Sequence, residues 1–195
     1  MALSVSILGS GNIGAALARR FAARAMPVGI SNRKPETISA LVRELGSTLL
    51  PQHLADAVAA NVVILAIPFI AVAEVTRSFS WRGRIVVDAT NPHTVTEIRG
   101  RSSTADVASC VPGAAVVKAF NTLPAAVLAA EPRTPAGRRV LFFSGYELAP
   151  TAAVGELIDR LGFAAVALGS PDQGGLLQQR GGPLFLQQFI SEPPS

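Results

Sequence analysis

The sequence is poor in the residues that most often carry covalent or metal chemistry. It contains one cysteine, two histidines, one tryptophan and one tyrosine in 195 residues. A lone cysteine excludes an internal disulfide and is typical of a reducing compartment. Because Cys110 lies in an apolar stretch, we interpret it as a core or near-core residue and not as a reactive thiol. The chain offers no obvious cluster of side chains for a metal ion, and none is expected.

Charge is also scarce, at 15% of residues, and long apolar runs are missing. The net charge is +4, and fifteen of the 17 basic residues are arginines scattered without a run of five. This pattern excludes a nucleic-acid-binding stripe, although a mild positive field attracts an anionic cofactor. Residues 62–73, the longest apolar run, contain Pro68 and are too few to span a bilayer. With no basic region at the N-terminus, we expect a cytoplasmic protein without a membrane partner.

A glycine motif near the N-terminus is the strongest signal in the chain. A short apolar strand precedes it and an alanine-rich helix follows it; the motif reads Gly9, Ser10, Gly11, Asn12, Ile13 and Gly14. Strand, glycine turn and helix in this order are typical of dinucleotide-binding folds. Gly9 permits a tight turn, Gly11 lets a pyrophosphate approach the backbone, and Gly14 allows close packing of helix and strand. The amides of the first helical turn then point at the phosphates.

The end of the second predicted strand favours NADP over NAD. NAD-binding folds usually carry an acid here to hold the ribose 2′-hydroxyl. This chain has no acid between Gly9 and Glu36, and the strand is followed by Ser31, Asn32, Arg33 and Lys34. A hydroxyl, an amide and two cations suit a 2′-phosphate, which pairs well with the forked guanidinium of arginine. The alternative interpretation is a polar loop that opens the next helix, with Pro35 in its first turn.

Strand and helix patterns alternate along most of the chain. Strands are predicted at residues 5–8, 28–31, 48–50, 62–66, 84–88, 114–118, 139–144 and 163–168, and helices at 12–24, 35–45, 53–60, 70–79 and 150–161. Alternation of this kind predicts an α/β fold with one doubly wound, Rossmann-type parallel sheet. We assign residues 1–168 to the NAD(P)-binding domain. Residues 169–195 form a short C-terminal tail, which we expect to pack on or near the cofactor crevice.

The sheet and its helices use most of the 195 residues. Dehydrogenases of this fold often add a helical domain, on the order of 100 residues, that encloses the substrate. We therefore expect the second substrate to lie in the crevice at the carboxyl ends of the strands, held by loops. A flat ring stacked on the nicotinamide would suit such a crevice better than a small flexible acid.

Three further segments lie at the carboxyl ends of predicted strands: Ala66 to Pro68, Asp88 to Pro92, and Lys118 to Thr122. The last is part of the stretch from Val116 to Thr122, which reads VVKAFNT. Together with the glycine motif and the turn at Ser31, they resemble the F420-dependent NADP oxidoreductase family. The resemblance runs from Val5 to about Phe185, and VVKAFNT is its most specific segment. A related domain occurs in membrane metalloreductases, in which NADPH reduces a flavin.

The resemblance implies hydride transfer between NADP(H) and a deazaflavin, coenzyme F420. It implies that Ala66, Ile67, Pro68 and Asn91 belong to the NADP(H) site. It also implies that Pro92, Phe120, Asn121 and Thr122 face the second ring, with Asn121 as a candidate for orienting it. No acid–base residue is demanded, because the transferred particle is a hydride. Tyr146 and Glu147 stand where relatives usually have an acidic pair, so the acceptor stays open between F420, FMN, FAD and another molecule.

Two other functions remain open at this point. One is an NADP-dependent dehydrogenase or imine reductase whose pocket is completed by a homodimer partner. The other is a non-enzymatic sensor of the NADP(H) redox state. Among the remaining polar residues, we expect Asp88 to fix the Thr90–Asn91 turn and Lys118 to be a surface or capping residue. His53 is predicted to start a helix, and His93 to face solvent.

Overall fold

The computed structural model describes residues 3–93 and 101–192 of the chain. The predicted domain begins at residue 1 and the predicted tail ends at residue 195, so residues 1–2 of the domain and 193–195 of the tail lie outside the described residues. Its strands are β1 (Val5–Leu8), β2 (Val28–Ser31), β3 (Leu49–Pro51), β4 (Val62–Leu65), β5 (Ile85–Asp88), β6 (Ala115–Ala119), β7 (Arg133–Thr134), β8 (Gly137–Gly145), β9 (Ala164–Ala167) and β10 (Ile190–Ser191). Every predicted strand is therefore present, within three residues at each end.

The helices alternate with the strands of the first two thirds of the chain. They are α1 (Asn12–Ala23), α2 (Pro35–Leu45), α3 (Leu54–Val58), α4 (Val72–Thr76), α5 (Ser103–Cys110), α6 (Ala125–Ala129), α7 (Leu148–Arg160) and α8 (Leu176–Gln178). A π-helical turn, Pro171–Gly175, leads into α8. His53 precedes the first residue of α3, as predicted. In the described residues, no helix is long and apolar enough to cross a membrane.

Six strands form a parallel sheet in the order β3-β2-β1-β4-β5-β6. Ile7 pairs with Ile30 of β2 on one side and with Ile64 of β4 on the other. This is the strand order of a doubly wound dinucleotide-binding fold, so the predicted fold class is confirmed. The direction of winding reverses between β1 and β4, and a crevice opens at their carboxyl ends.

The sheet departs from the predicted parallel arrangement at one edge. β8 runs antiparallel to β6, β9 runs parallel to β8, and β10 adds to β8 in the antiparallel sense. The physical reason lies in the connection after β6, residues 120–136, which contains no helix long enough to return the chain to the amino ends of the strands. Its helix α6 has five residues and spans only about 8 Å. The chain therefore stays at the carboxyl edge of the sheet, and β8 must run back down.

The two faces of the sheet carry separate hydrophobic cores. One core contains α1, α2, α6 and α7, and its largest buried side chains include Phe21, Phe120 and Phe163. The other gathers α3, α4 and α5 around Trp81, which is 1% exposed. Cys110 is partly buried and packs against this second core, as expected. Both faces are thus covered, which explains why the central strands are almost entirely apolar.

Several helices differ from their predictions for local reasons. α4 ends at Thr76 and not at residue 79, because the Trp81 indole donates a hydrogen bond to the Thr76 carbonyl at 3.0 Å. α7 begins two residues before Pro150, because a proline in the first turn costs no helical hydrogen bond. α5 and α6 were not predicted. Their sequences, STADVASC and AAVLA, are too short and too uniformly small to show an apolar period.

Candidate functional site

The glycine motif forms the turn between β1 and α1 with the geometry that its sequence predicts. Gly9 has φ of +105°, a conformation that strongly favours glycine, and a Cβ there would collide with the Ala66 carbonyl. A Cβ on Gly14 would collide with the Gly9 carbonyl, so this glycine lets the helix pack on the turn. A Cβ on Gly11 would meet no atom within 4 Å. The backbone at Gly11 therefore faces open space, as a pyrophosphate would require.

The first turn of α1 opens onto the same space. The first helical hydrogen bond runs from the Ala15 amide to the Gly11 carbonyl at 2.8 Å. The amides of Asn12, Ile13 and Gly14 precede it and have no helical acceptor. No acid lies in this turn. The partial positive charge of the helix end is therefore available to an anion.

A polar network joins the glycine turn to the end of β2. The side-chain amide of Asn32 (Nδ2) donates a hydrogen bond to the hydroxyl of Ser10 and another, at 2.9 Å, to that of Thr37. The two hydroxyls lie 2.6 Å apart, and Thr37 donates to the Lys34 carbonyl at 2.7 Å. Ser31, next to this network, is 5% exposed. The side chains of this turn thus support one another around the mouth of the crevice.

A cavity of about 920 Å³ lies beside this network. Of the predicted residues, its lining includes Gly9, Ser10, Gly11, Ser31, Asn32, Arg33, Ala66, Ile67 and Pro68. Asn12, Ile13, Gly14, Lys34 and Asn91 are outside that lining. The volume is at the upper end of the range for small-molecule sites. The structure thus brings most of the predicted NADP(H) residues to one cavity.

The cavity wall is rich in unpaired cations. Arg33, Arg43 and Arg77 line it, together with a single acid, Glu74. Within residues 3–93 and 101–192, none of the three arginines takes part in an ion pair; the five pairs are Arg19–Glu44, Arg20–Glu131, Arg101–Asp106, Lys118–Asp88 and Arg138–Asp159. An unpaired guanidinium at the mouth of a cavity can hold a phosphate through two parallel hydrogen bonds.

Three carboxamides connect the ends of β5 and β6 with the C-terminal tail. Asn91 donates to the Asn121 carbonyl at 2.9 Å, and Asn121 donates back to Asn91 Oδ1 at 3.1 Å. Asn121 also donates to the Gln178 carbonyl at 2.8 Å. Gln178 in turn donates to the Lys118 carbonyl and to the Ser144 hydroxyl. The tail therefore lies over the carboxyl end of β6.

The structure does not place the residues predicted for the second ring on the open surface of the crevice. Phe120 is fully buried in the first core, with φ of +63°. Asn121 and Thr122 are 3% and 1% exposed, and Pro92 is also buried. The tail covers this turn, because the Leu186 amide donates to the Thr122 carbonyl at 2.9 Å. Among the described residues that follow β5, Asn91 is only partly buried and His93 is exposed.

The expectation for Lys118 was wrong. It is neither on the surface nor a cap: its side chain is 0% exposed and forms an ion pair with Asp88, also 0% exposed, at 2.9 Å. Sequence reasoning missed this because it considered each strand alone, whereas the register of β5 and β6 sets the two residues side by side. Asp88 does fix the Thr90 turn as predicted, since its carboxylate accepts the Thr90 amide and hydroxyl.

Sequence reasoning also missed Thr37, Arg43, Arg77 and Gln178. Helical spacing could have found Arg43, which lies four residues after Ser39 on the face of α2 that lines the cavity. No local signal marks Arg77, because the position of α4 beside the crevice is decided by tertiary packing. Among the described residues, no group of three or more His, Cys, Asp or Glu side chains could hold a metal ion.

Fold and site together define a dinucleotide-binding α/β protein of the Rossmann type. Residues 4–92 of the chain match the model of the family described as coenzyme F420-dependent NADP oxidoreductases. The family match indicates an NADP-dependent oxidoreductase and supports NADP(H) as its nucleotide.

The proteins similar to this chain include two of known structure and one metalloreductase. A hypothetical protein from Sinorhizobium meliloti is 43% identical, with a TM-score of 0.93, over 98% of this chain and 97% of that one. A protein from Arthrobacter sp. FB24, provisionally named an F420-dependent NADP-reductase, is 25% identical, with a TM-score of 0.72, over 87% and 86%. The rat metalloreductase STEAP3 is 31% identical over 85% of this chain, which spans 34% of the length of that protein.

Proposed function

We propose that the protein transfers a hydride from NADPH to a planar ring acceptor, coenzyme F420 or a flavin, at the carboxyl ends of the strands. The observation that carries the proposal is the open backbone face at Gly11, next to a cavity edged by the unpaired Arg33. When bound, NADPH would supply a hydride from its nicotinamide ring, and the acceptor would take that hydride with a proton from solvent.

The nucleotide half of the site has a clear division of roles. The turn from Gly9 to Gly14 and the free amides of α1 would hold the pyrophosphate. Ser31, Asn32, Arg33 and Lys34 would hold the 2′-phosphate, with Ser10 and Thr37 fixing the Asn32 carboxamide. The hydroxyls of Ser10 and Thr37 can rotate to donate to a phosphate oxygen. Preference for NADP then follows from charge, because no acid stands in this turn.

The nicotinamide half lies one strand further along the sheet. Ala66, Ile67 and Pro68 would line one side of the nicotinamide and its ribose. Asn91 is the first residue after β5 whose side chain is not fully buried. Hydride transfer needs orientation of two rings and no proton transfer by a side chain. Asn91 would supply that orientation, and Asn121 would act through its two hydrogen bonds to Asn91.

Two buried polar atoms at the proposed site of the acceptor ring lack a hydrogen-bond partner among the described residues. The atoms Asn121 Oδ1 and Thr122 Oγ1 are buried and have no hydrogen-bond partner in the described part of the chain. Such atoms are costly when they serve packing alone. We infer that a ring edge reaches them when the tail over β6 shifts. The family description favours coenzyme F420 as the source of that ring, and a flavin has the same planar shape.

The test is a stopped-flow experiment. NADPH-loaded protein is mixed separately with F420, FMN, FAD and riboflavin, and the nicotinamide absorbance is followed against the same mixture without protein. We expect one acceptor to be reduced faster than in the free reaction. Asn91→Ala should lower that turnover while NADPH affinity stays within about threefold of the native value. Failure of all four acceptors to react above the free rate would remove the proposed activity and favour a redox sensor.

A further inference from the structure

We propose that the buried Lys118–Asp88 pair is a positioning device for the acceptor site, which sets the Thr90–Asn91 turn and through it the Asn121 carboxamide. The inference rests on the proposed hydride transfer and deepens it. It starts from the burial of two opposite charges, each 0% exposed, on neighbouring strands at the edge of the sheet where the crevice opens.

The Asp88 carboxylate is fully engaged by donors from three segments. It accepts the Thr90 amide at 3.0 Å, the Thr90 hydroxyl at 2.7 Å, the Thr104 hydroxyl at 2.9 Å and Lys118 Nζ at 2.9 Å. Lys118 Nζ also donates to the Thr90 carbonyl at 3.0 Å. One ion pair therefore fixes both ends of the Thr90 residue and ties the turn to β6 and to α5.

The turn that the pair fixes carries Asn91, a partly buried side chain that is hydrogen-bonded to the buried Asn121. Asn91 follows Thr90, is partly exposed and exchanges two hydrogen bonds with Asn121. A shift of Thr90 would move Asn91, and Asn91 would release the Asn121 carboxamide. The pair thus lies beneath the site, and its side chains need no contact with either cofactor to affect geometry there.

A buried ion pair is by itself weak evidence of a role in stability. Removing two charges from water is expensive, and replacing a buried pair by apolar side chains of similar volume is often neutral or stabilising. The neighbouring residues Val86, Val87 and Val117 are buried and apolar. Apolar side chains at positions 88 and 118 would pack beside them without the cost of burying two charges. A fixed turn at the strand ends is the specific gain that the geometry offers.

The test compares two double variants in the full chain. Asp88→Leu/Lys118→Met removes both charges and keeps the volume close to native. The matched control, Arg138→Met/Asp159→Leu, removes a half-exposed ion pair with an N–O distance of 3.0 Å between β8 and α7. For the first variant we expect a native circular dichroism spectrum and NADPH affinity within about threefold. Turnover with the reactive acceptor should fall about 100-fold, as misplacement of a reacting group by about 1 Å predicts, with KM for NADPH unchanged.

A second readout is independent of turnover. Amide hydrogen exchange at Thr90 and the side-chain NMR signals of Asn91 and Asn121 should change in the first variant and stay native in the control. If no acceptor reacts with the native protein, the proposed activity fails, and this readout still tests the positioning role. Native exchange at Thr90 in the first variant would overturn the inference, as would an equal loss of turnover in the control.

A milder variant covers the case in which the first one does not fold. Thr104→Val removes one hydroxyl donor to Asp88 with almost no change of shape. We expect Thr90 exchange to increase and turnover to fall by up to about tenfold, as for the loss of one hydrogen bond. Native exchange together with native turnover in Thr104→Val would count against the positioning role.

Discussion

At Gly11 the packing of the protein leaves room for a side chain, whereas the proposed cofactor contact does not. Its backbone, with φ of −69° and ψ of −169°, is extended and accessible to any residue. No atom lies within 4 Å of a Cβ placed there. The fold therefore does not require a glycine at this position, whereas a pyrophosphate in contact with the backbone does.

Gly11→Val should keep the fold and lose the cofactor. We expect native circular dichroism and near-native urea denaturation, with no NADPH binding in a calorimetric titration. Gly14→Val is the contrasting variant, because its Cβ would collide with the Gly9 carbonyl and should disturb folding itself. Normal NADPH affinity in folded Gly11→Val would refute the assignment of the glycine turn.

Arg33 is the residue expected to separate NADP from NAD. One charge-assisted hydrogen bond contributes about 1.5–3 kcal/mol, so Arg33→Ala should weaken NADP binding roughly 10–150-fold. NAD affinity should hardly change, because NAD has no 2′-phosphate. The control in the same calorimetric series is Arg82→Ala. Arg82 is exposed and lies just before β5, at the end of the sheet opposite the crevice. Equal losses for NADP and NAD in Arg33→Ala would contradict the phosphate clamp.

The phenol of Tyr146 can be titrated by absorbance without interference from other tyrosines, since it is the only tyrosine in the chain. Partial burial, together with its hydrogen bond to Asp172 at 2.9 Å, raises the pKa of the Tyr146 phenol from 10.0 to about 12. Because the folded pKa lies above the unfolded value, this contribution to stability is complete below pH 10 and is lost as the pH rises through about 12.

An absorbance titration of the phenolate should give that raised pKa in native protein and a value near 10 in denaturant. Asp172→Asn removes the carboxylate and should lower the pKa of Tyr146, with burial still holding it above the denatured value. A native pKa equal to that in denaturant would show that the contact between Tyr146 and the tail is not formed in solution.

At the scale of elements, the C-terminal tail is structured where it meets the sheet. The π-helical turn Pro171–Gly175 and α8 place the Gln178 carboxamide against β6 and β8. Gln178 is 0% exposed. The sequence showed only a segment rich in glycine, glutamine and proline, which carries no periodic signal for this arrangement.

Gln178→Ala should therefore lower the free energy of unfolding by about 1–3 kcal/mol, because it removes the side-chain donor to two buried acceptors, on β6 and β8. Gln188→Ala is the matched control. Gln188 accepts only from Arg139 at the surface, and its loss should change stability by less than about 0.5 kcal/mol. Urea denaturation measures both, and equal small effects would show that the tail adds nothing to the stability of the sheet.

For the whole molecule, binding at the crevice should appear as thermal stabilisation. A ligand at 100 times its Kd adds about 2.7 kcal/mol to the folded state. For a chain of this size that corresponds to a rise in Tm of roughly 5–11 °C. NADP at that concentration should produce this shift in reversible melting, while the same concentration of NAD should produce little. Equal shifts from both cofactors would argue against selection by the 2′-phosphate.

Much of the fold and half of the site follow from local sequence. The alternation of strands and helices predicts the doubly wound sheet, and the glycine motif predicts its first turn, because both depend on short-range periodicity and backbone freedom. Arg33 and its neighbours could be found because they follow directly on a strand. The burial of Phe120, Asn121 and Thr122 could not be predicted, because it depends on a tail more than fifty residues away in the chain.

The sequence by itself determined the parallel sheet, the turn at Gly9 to Gly14 and the cationic turn after β2, since each is fixed by residues close together in the chain. Only the tertiary structure decided the reversal of β8, the Lys118–Asp88 pair, the joining of Arg33, Arg43 and Arg77 at one cavity, and the cover over β6. These features arise from strand register and from packing between distant segments. Local patterns carry no information about either, because the same strand or helix can pair with any neighbour of suitable shape and polarity.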